Sequence, residues 1–397
     1  MAVHPPSAIH HPRHILVRGV NWLGDAVMTT PALLRLRERF PNARITLLCP
    51  EKLEDLWLHH PAVNEVISFS STEGVWRVSR KLRHGRGLEI LRSAKGRFHA
   101  SPVGVPPRFD LALVLPNSPR AALEVFLAGI PQRVGYARQW RNLFLTQAVA
   151  SRPEAVKMRK RTVAEINQLV ADGNCGEQKA TSKSSAAHQL HEYLHLVAAC
   201  GASREPLAPQ LTVTSEEIEF VKSEFNLNGR SYSGPFFGLN PGAEYGSAKR
   251  WPAEKFIKAA IEIQRQTDCT WVVFGGRADK VLADTIERGI DSNVCNVAGQ
   301  TSLRELMALL KTCRVLLTND TGPMHIAAAL GTPVVVPFGS TSPELTGPGL
   351  PGDPRHRLLK SNAPCAPCFL RECPIDFRCM NGISVERVVE AVLNALS

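Results

Sequence analysis

Short apolar runs suited to buried parallel strands recur along this chain, and most lead into stretches of helical periodicity; the series runs twice. In the first series the runs fall at 15–17, 44–48, 63–69 and 111–115, with helical patterns at 25–40, 120–128 and 188–200. In the second they fall at 236–239, 271–274, 315–318 and 334–337, with helical patterns at 253–266, 278–289, 303–311 and 323–330. A last amphipathic helix is expected at 385–396. Such alternation builds a parallel sheet with helices on both faces, and two series in 397 residues imply two doubly wound α/β domains. The expected division is 1–212 and 213–397. Ligands of such sheets bind beyond the carboxyl ends of the strands, so a cleft between two sheets is the expected active site.

Composition narrows the function classes. The first fourteen residues are rich in Pro and His and lack the continuous apolar stretch of a secretory signal. No run approaches the roughly 18–20 apolar residues that a membrane-spanning helix needs, so a soluble, cytoplasmic protein is expected. Most of the formal net charge of +11 sits in one insertion at 74–108. There Arg77, Arg80, Lys81, Arg83, Arg86, Arg92, Lys95, Arg97 and Arg108 stand against Glu89 alone. Such a stretch suits an anionic membrane surface or an acidic substrate, or is simply a solvated insertion. Without it the chain is only mildly basic, and no nucleic-acid partner is expected. A second interruption at 178–187, QKATSKSSAA, is polar and low in complexity, as a loop would be.

Four strand ends carry residues with chemistry. The first is Asn21-Trp22-Leu23-Gly24-Asp25, where Gly24 allows a tight turn and Asp25 stands at a helix start, as a base or as a plain cap. The second, at 240–252, brings small residues, Glu244 and the adjacent cations Lys249 and Arg250 ahead of a helix that Pro252 would open. Backbone N–H groups and positive charge together suit phosphate oxygens, whereas the alternative is a solvated surface loop. The third, Phe274-Gly275-Gly276-Arg277, reads as an ordinary βα turn. The fourth is Thr318-Asn319-Asp320-Thr321-Gly322-Pro323-Met324-His325. A helix beginning at Gly-Pro leaves its first N–H groups free to hold a diphosphate without a metal. No Walker A loop is present, and there is no Gly-x-Gly-x-x-Gly after the first strand, which speaks against a dinucleotide-dependent dehydrogenase.

Five segments in order carry a resemblance: Trp22-Leu23-Gly24-Asp25, Leu115-Pro116-Asn117-Ser118, AGIPQRVGY at 128–136, PGAEYGSAKRWP at 241–252 and TNDTGPMHIAAAL at 318–330. Together they resemble the ADP-heptose:lipopolysaccharide heptosyltransferases of glycosyltransferase family 9, most of all the branch that adds the second heptose. The resemblance implies a GT-B fold of two Rossmann-like domains and an inverting transfer that needs no metal and no cofactor. It implies ADP-heptose as donor and, as acceptor, the first heptose of the lipid A core at the cytoplasmic face of the inner membrane. Carried onto this sequence, Asp25 is the base and Lys249 the diphosphate-binding lysine. Asp320, Thr321, Gly322 and His325 form the donor-binding turn, with Glu244 in the same donor loop. Asn21, Gly24 and Asn117 fall on the acceptor side. Closure of the two domains would bring base and donor together.

The group Cys365, Cys368, Cys373 and Cys379 has spacing that a tetrahedral zinc site would accept, but reduced loop cysteines with no metal are the expected reading. The resemblance does not require these thiols for catalysis. Other readings remain open from sequence: a family member acting at another core position, a GT-B nucleotide-sugar epimerase, or a sugar-nucleotide-binding protein without turnover. Sequence leaves the oligomeric state open.

Overall fold

A computed structural model of the chain describes residues 11–84, 108–172, 185–229, 232 and 234–396. Most of the basic insertion, residues 85–107, and most of the polar loop, 178–184, therefore lie outside the described residues, as does the segment 1–10.

The chain divides into two compact units, 1–155 with 189–212, and 156–188 with 213–397. The first is built on six parallel strands: β1 (His14–Arg18), β2 (Arg44–Pro50), β3 (Glu65–Phe69), β4 (Leu111–Val114), β5 (Gln132–Tyr136) and β6 (Gln147–Val149). Their order across the sheet is β3-β2-β1-β4-β5-β6. The second unit repeats the plan with β7 (Phe236–Asn240), β8 (Thr270–Val273), β9 (Val294–Asn296), β10 (Leu316–Thr318), β11 (Val334–Phe338) and β12 (Arg357–Lys360). Its order is β12-β11-β10-β7-β8-β9. In each sheet the winding reverses once, between β1 and β4 and between β7 and β10. At such a reversal the loops leaving the two neighbouring strands diverge and open a crevice.

The expected α/β class is what folds. Strands β1, β4, β8 and β11 bury almost every side chain, as strands covered on both faces must. In the second unit Trp271 packs edge-on against Phe237, and Trp251 against Phe256. Both indole N–H groups are satisfied, Trp271 donating to the Ala260 carbonyl and Trp251 to that of Ile383, each at 3.1 Å. Buried polar hydrogens left unpaired would cost about 1–3 kcal/mol each.

Several expectations change. The pattern at 25–40 is two helices, Leu23–Met28 and Thr30–Arg39, with Pro31 accommodated in the first turn of the second. Strands β5, β6, β9 and β12 escaped the sequence reading: β6, β9 and β12 are short edge strands with half-exposed side chains and no apolar run, and β5 opens on Gln132 and Arg133 and carries a glycine. The insertion expected from residue 74 begins instead as a core helix, Val75–His84, whose Val78 and Leu82 are buried against the first sheet. Lys81 is ion-paired there with Glu73 at 2.7 Å.

The contiguous 1–212 unit is also crossed. Residues 156–188 group with the C-terminal half, where the helix Val163–Ala171 lays Ile166 into the second core. Arg161 anchors this segment, its backbone N–H on the Cys368 carbonyl and its guanidinium on that of Pro364.

Candidate active site

The first unit has its crevice at the β1/β4 reversal. A cavity of about 280 Å3 opens there, lined by Asn21, Trp22 and Asp25 after β1, by residues 115–118 after β4, and by Tyr136, Gln189, Glu192 and Tyr193. Gly24 precedes Asp25 in the first turn of Leu23–Met28, whose N-cap is Trp22. Asp25 is therefore the third helical residue, and the cap position makes no side-chain hydrogen bond. Its carboxylate instead turns to the cavity and accepts from Gln189 Nε2 at 3.3 Å, while the same amide donates to Tyr193 Oη at 3.0 Å. Burial, reinforced by the neighbouring Asp25 charge, keeps the Tyr193 phenol protonated far above its ordinary range.

Two buried cations that the sequence did not single out shape this crevice. At the end of β1, Arg18 pairs with the fully buried Glu124 at 2.9 Å and also donates to the Gly19 carbonyl and to Asn21 Oδ1. It thereby ties the loop leaving β1 to the helix Pro119–Leu127 that follows β4. Arg141 is wholly buried, and no acid partners it among the described residues. It donates to the Val114 carbonyl at 3.0 Å and to Asn117 Oδ1 at 3.2 Å, and its Nε has no partner. Burial pulls this guanidinium down to about 10. Gly135 makes room for it, since a Cβ there would lie 2.6 Å from Arg141 Nη2. A guanidinium only donates, so the Asn117 carbonyl oxygen must face it and the Asn117 NH2 group is free to face elsewhere. No local pattern marks either arginine in sequence; Arg18 meets a residue more than a hundred positions away.

The second unit has its crevice at the β7/β10 reversal, and here the predicted donor residues converge. Lys249 Nζ lies 2.6 Å from Asp320 Oδ2 in a nearly buried ion pair. Thr341, after β11, donates to the same oxygen at 2.5 Å. Asn319, wholly buried, clamps both ends of the loop that carries Lys249: its amide donates to the Pro241 carbonyl at 2.7 Å, and its oxygen accepts from the Trp251 N–H at 2.9 Å. Asn240 adds a bond to Thr318 Oγ1 at 3.0 Å. Thr321 caps the helix Gly322–Ala329 through its backbone only, with Pro323 in the first turn. His325 is buried beside Asp320; burial lowers its pKa to about 4, so the ring is neutral near pH 7.

The two adjacent cations do not act together. Arg250 faces away from the pair, toward Asp279 at 3.4 Å. Asp279 also packs against Gly242 and accepts from the Gly276 N–H, so the 274–277 turn braces the loop. Glu244 is exposed on the loop, whereas Tyr245 turns inward and donates to the Phe369 carbonyl at 2.9 Å. Gly246 has φ 153° and sits where a Cβ would be 2.2 Å from the Arg371 carbonyl oxygen. The cysteine segment thus forms the backing of the donor loop. Cys365, Cys368 and Cys379 are buried thiols held protonated by burial, Cys379 at about 12. Among the described residues no three His, Cys, Asp or Glu side chains are placed to hold a metal ion.

Two parallel six-stranded sheets, each with its polar site at a winding reversal, are the two Rossmann-like units of the GT-B fold. More narrowly, the chain belongs to glycosyltransferase family 9 (heptosyltransferase), which matches residues 106–377. That span holds Asn117, Lys249 and the Asp320 turn but not Asp25. The chain is 32% identical over 339 residues to lipopolysaccharide heptosyltransferase 2 of Salmonella typhimurium, covering 84% of this chain and 85% of the relative. It is 30% identical over 345 residues to the Escherichia coli protein of the same name, with the same coverage. The solved structure of E. coli ADP-heptose lps heptosyltransferase II superposes with a TM-score of 0.70 at 26% identity, covering 96% of this chain and 98% of that one. Among the described residues no helix is long and apolar enough to cross a membrane.

Proposed function

We propose that this chain transfers L-glycero-D-manno-heptose from ADP-heptose to the first heptose of the lipopolysaccharide inner core, with inversion and without a metal. The observation that carries the donor half is the Lys249–Asp320–Thr341 cluster below the start of Gly322–Ala329. It keeps a desolvated lysine beside the helix terminus, so that a diphosphate arriving there would meet a cation and backbone N–H groups. Thr321 and Gly322 supply those groups, and Asp320 is left to accept from sugar hydroxyls. The acceptor half rests on Asp25, whose carboxylate faces a cavity of sugar size.

In the reaction the acceptor hydroxyl oxygen attacks the anomeric carbon, and the bond to the diphosphate breaks with its electron pair on ADP. The hydroxyl proton passes to Asp25, which suffices because it leaves late in the displacement. Lys249 and the helix terminus take up the charge gained by ADP. Peripheral contact with the cytoplasmic face of the inner membrane follows from a lipid-anchored acceptor.

Product analysis with ADP-heptose and defined core acceptors tests this reading. Addition of one heptose to an acceptor ending in a single heptose is expected. Transfer only to a heptose-free core, or conversion of the donor with no acceptor present, overturns it.

A further inference from the structure

The six tryptophans divide sharply. Trp57, Trp251 and Trp271 are core residues, whereas Trp22, Trp76 and Trp140 are 48%, 74% and 73% exposed. All three exposed rings belong to the first unit, and each follows the carboxyl end of a strand: Trp22 after β1, Trp76 after β3 and Trp140 after β5. In an all-parallel sheet those ends share one side, the side on which the acceptor cavity opens. Trp22 lines the cavity, but the large indoles of Trp76 and Trp140 are left in water with no such role; at a membrane interface an apolar ring and polar N–H are both accommodated.

Cations accompany the rings. Arg77 and Arg80 flank Trp76 on the exposed side of Val75–His84, and Arg138 lies two residues before Trp140. None of the three pairs with an acid among the described residues. Lys52 lies over the Trp22 ring at 5.2 Å. Among the described residues the exposed acids at this end are Glu51 and Asp55, on the turn that follows β2, and Glu154 beyond β6.

We propose that this end of the first unit is a docking surface for an anionic lipid bilayer, with Trp76 and Trp140 seated at headgroup depth and Arg77, Arg80 and Arg138 on lipid phosphates. The inference rests on the proposed activity for its purpose, since it would present the cavity to a sugar anchored in that bilayer. Ring insertion supplies most of the adhesion, and each cation adds a salt-sensitive share.

The test is sedimentation of the whole protein with vesicles of phosphatidylcholine alone or with about a third phosphatidylglycerol, an anionic surface that cations recognise. Two double variants are compared, Trp76→Ser with Trp140→Ser, and Arg77→Gln with Arg80→Gln. Turnover on a deacylated, water-soluble core acceptor is measured alongside. The native chain is expected to sediment with anionic vesicles. The tryptophan pair should lower partitioning roughly tenfold or more, and the arginine pair about tenfold on anionic vesicles only. Both should keep native turnover on the soluble acceptor, because neither pair lines the cavity. No sedimentation of the native chain, or equal sedimentation of the tryptophan variant, overturns the docking surface. Vesicle binding without heptose transfer to any acceptor would leave the surface standing and remove the proposed activity; transfer without vesicle binding would do the reverse.

Discussion

The two crevices occupy the same topological position, yet they are built on opposite electrostatic plans. In the second unit Lys249 is balanced by Asp320, Arg250 by Asp279, and the loop between them is clamped by Asn319. In the first unit Arg18 is balanced by Glu124, but Arg141 is buried with no acid near it among the described residues. A neutralised, preformed cradle suits a ligand that brings its own double charge and displaces one ion pair with another. In the first crevice the cation stays behind Asn117, and the cavity itself is lined by neutral polar groups around the Asp25 and Glu192 carboxylates, which suits a neutral hydroxyl. On the proposed reading the difference separates the chemical roles of the halves: proton removal on one, leaving-group stabilisation on the other.

Asp25→Asn breaks the comparison most directly. It keeps the shape and the contact to Gln189 but removes the base, so turnover should fall roughly 10²–10⁴-fold while ADP-heptose affinity is nearly unchanged. Steady-state rates with calorimetric donor binding decide it. Native turnover would reduce Asp25 to a favourable charge in the first turn of its helix.

Lys249→Met should act on the other half and by a different signature. Removing the cation from the departing diphosphate should cost about 10²–10³-fold in kcat/KM for the donor, in the range of a lost transition-state donor group. It also strands Asp320 without its ion-pair partner, so donor affinity should fall as well, whereas Asp25→Asn leaves it intact. Equal donor affinity in both variants would remove the distinction between the two crevices.

What could be read from sequence follows the same division. The donor loop was legible because its groups lie on two short contiguous segments, 240–252 and 318–325, whose spacing local chain geometry fixes. The strand pattern was legible where a continuous apolar run buries both faces, and it was missed at β5, which opens on Gln132 and Arg133. Arg18, Glu124 and Arg141 were not, because their meaning comes from packing between distant segments: an arginine in sequence is a surface residue until a Gly135 and a sheet end are found to enclose it. The crossing of 156–188 into the second unit was hidden for the same reason, resting on Arg161 contacts and on Ile166, some 200 residues from their partners in the cysteine segment.

Arg141→Met sharpens the comparison with the smallest effect. Methionine fills a similar volume and leaves no buried charge, and Arg141 has no carboxylate partner to strand, so stability should hold or rise slightly. Asn117, which lines the cavity, would lose the donor that fixes its amide. The acceptor KM should then rise about tenfold, the worth of a hydrogen bond to a charged group, with donor affinity unchanged. Arg141→Lys should leave the acceptor KM raised, because an ammonium replaces the charge but not the paired donors to Val114 and Asn117. An unchanged acceptor KM in the methionine variant would make Arg141 a packing residue alone.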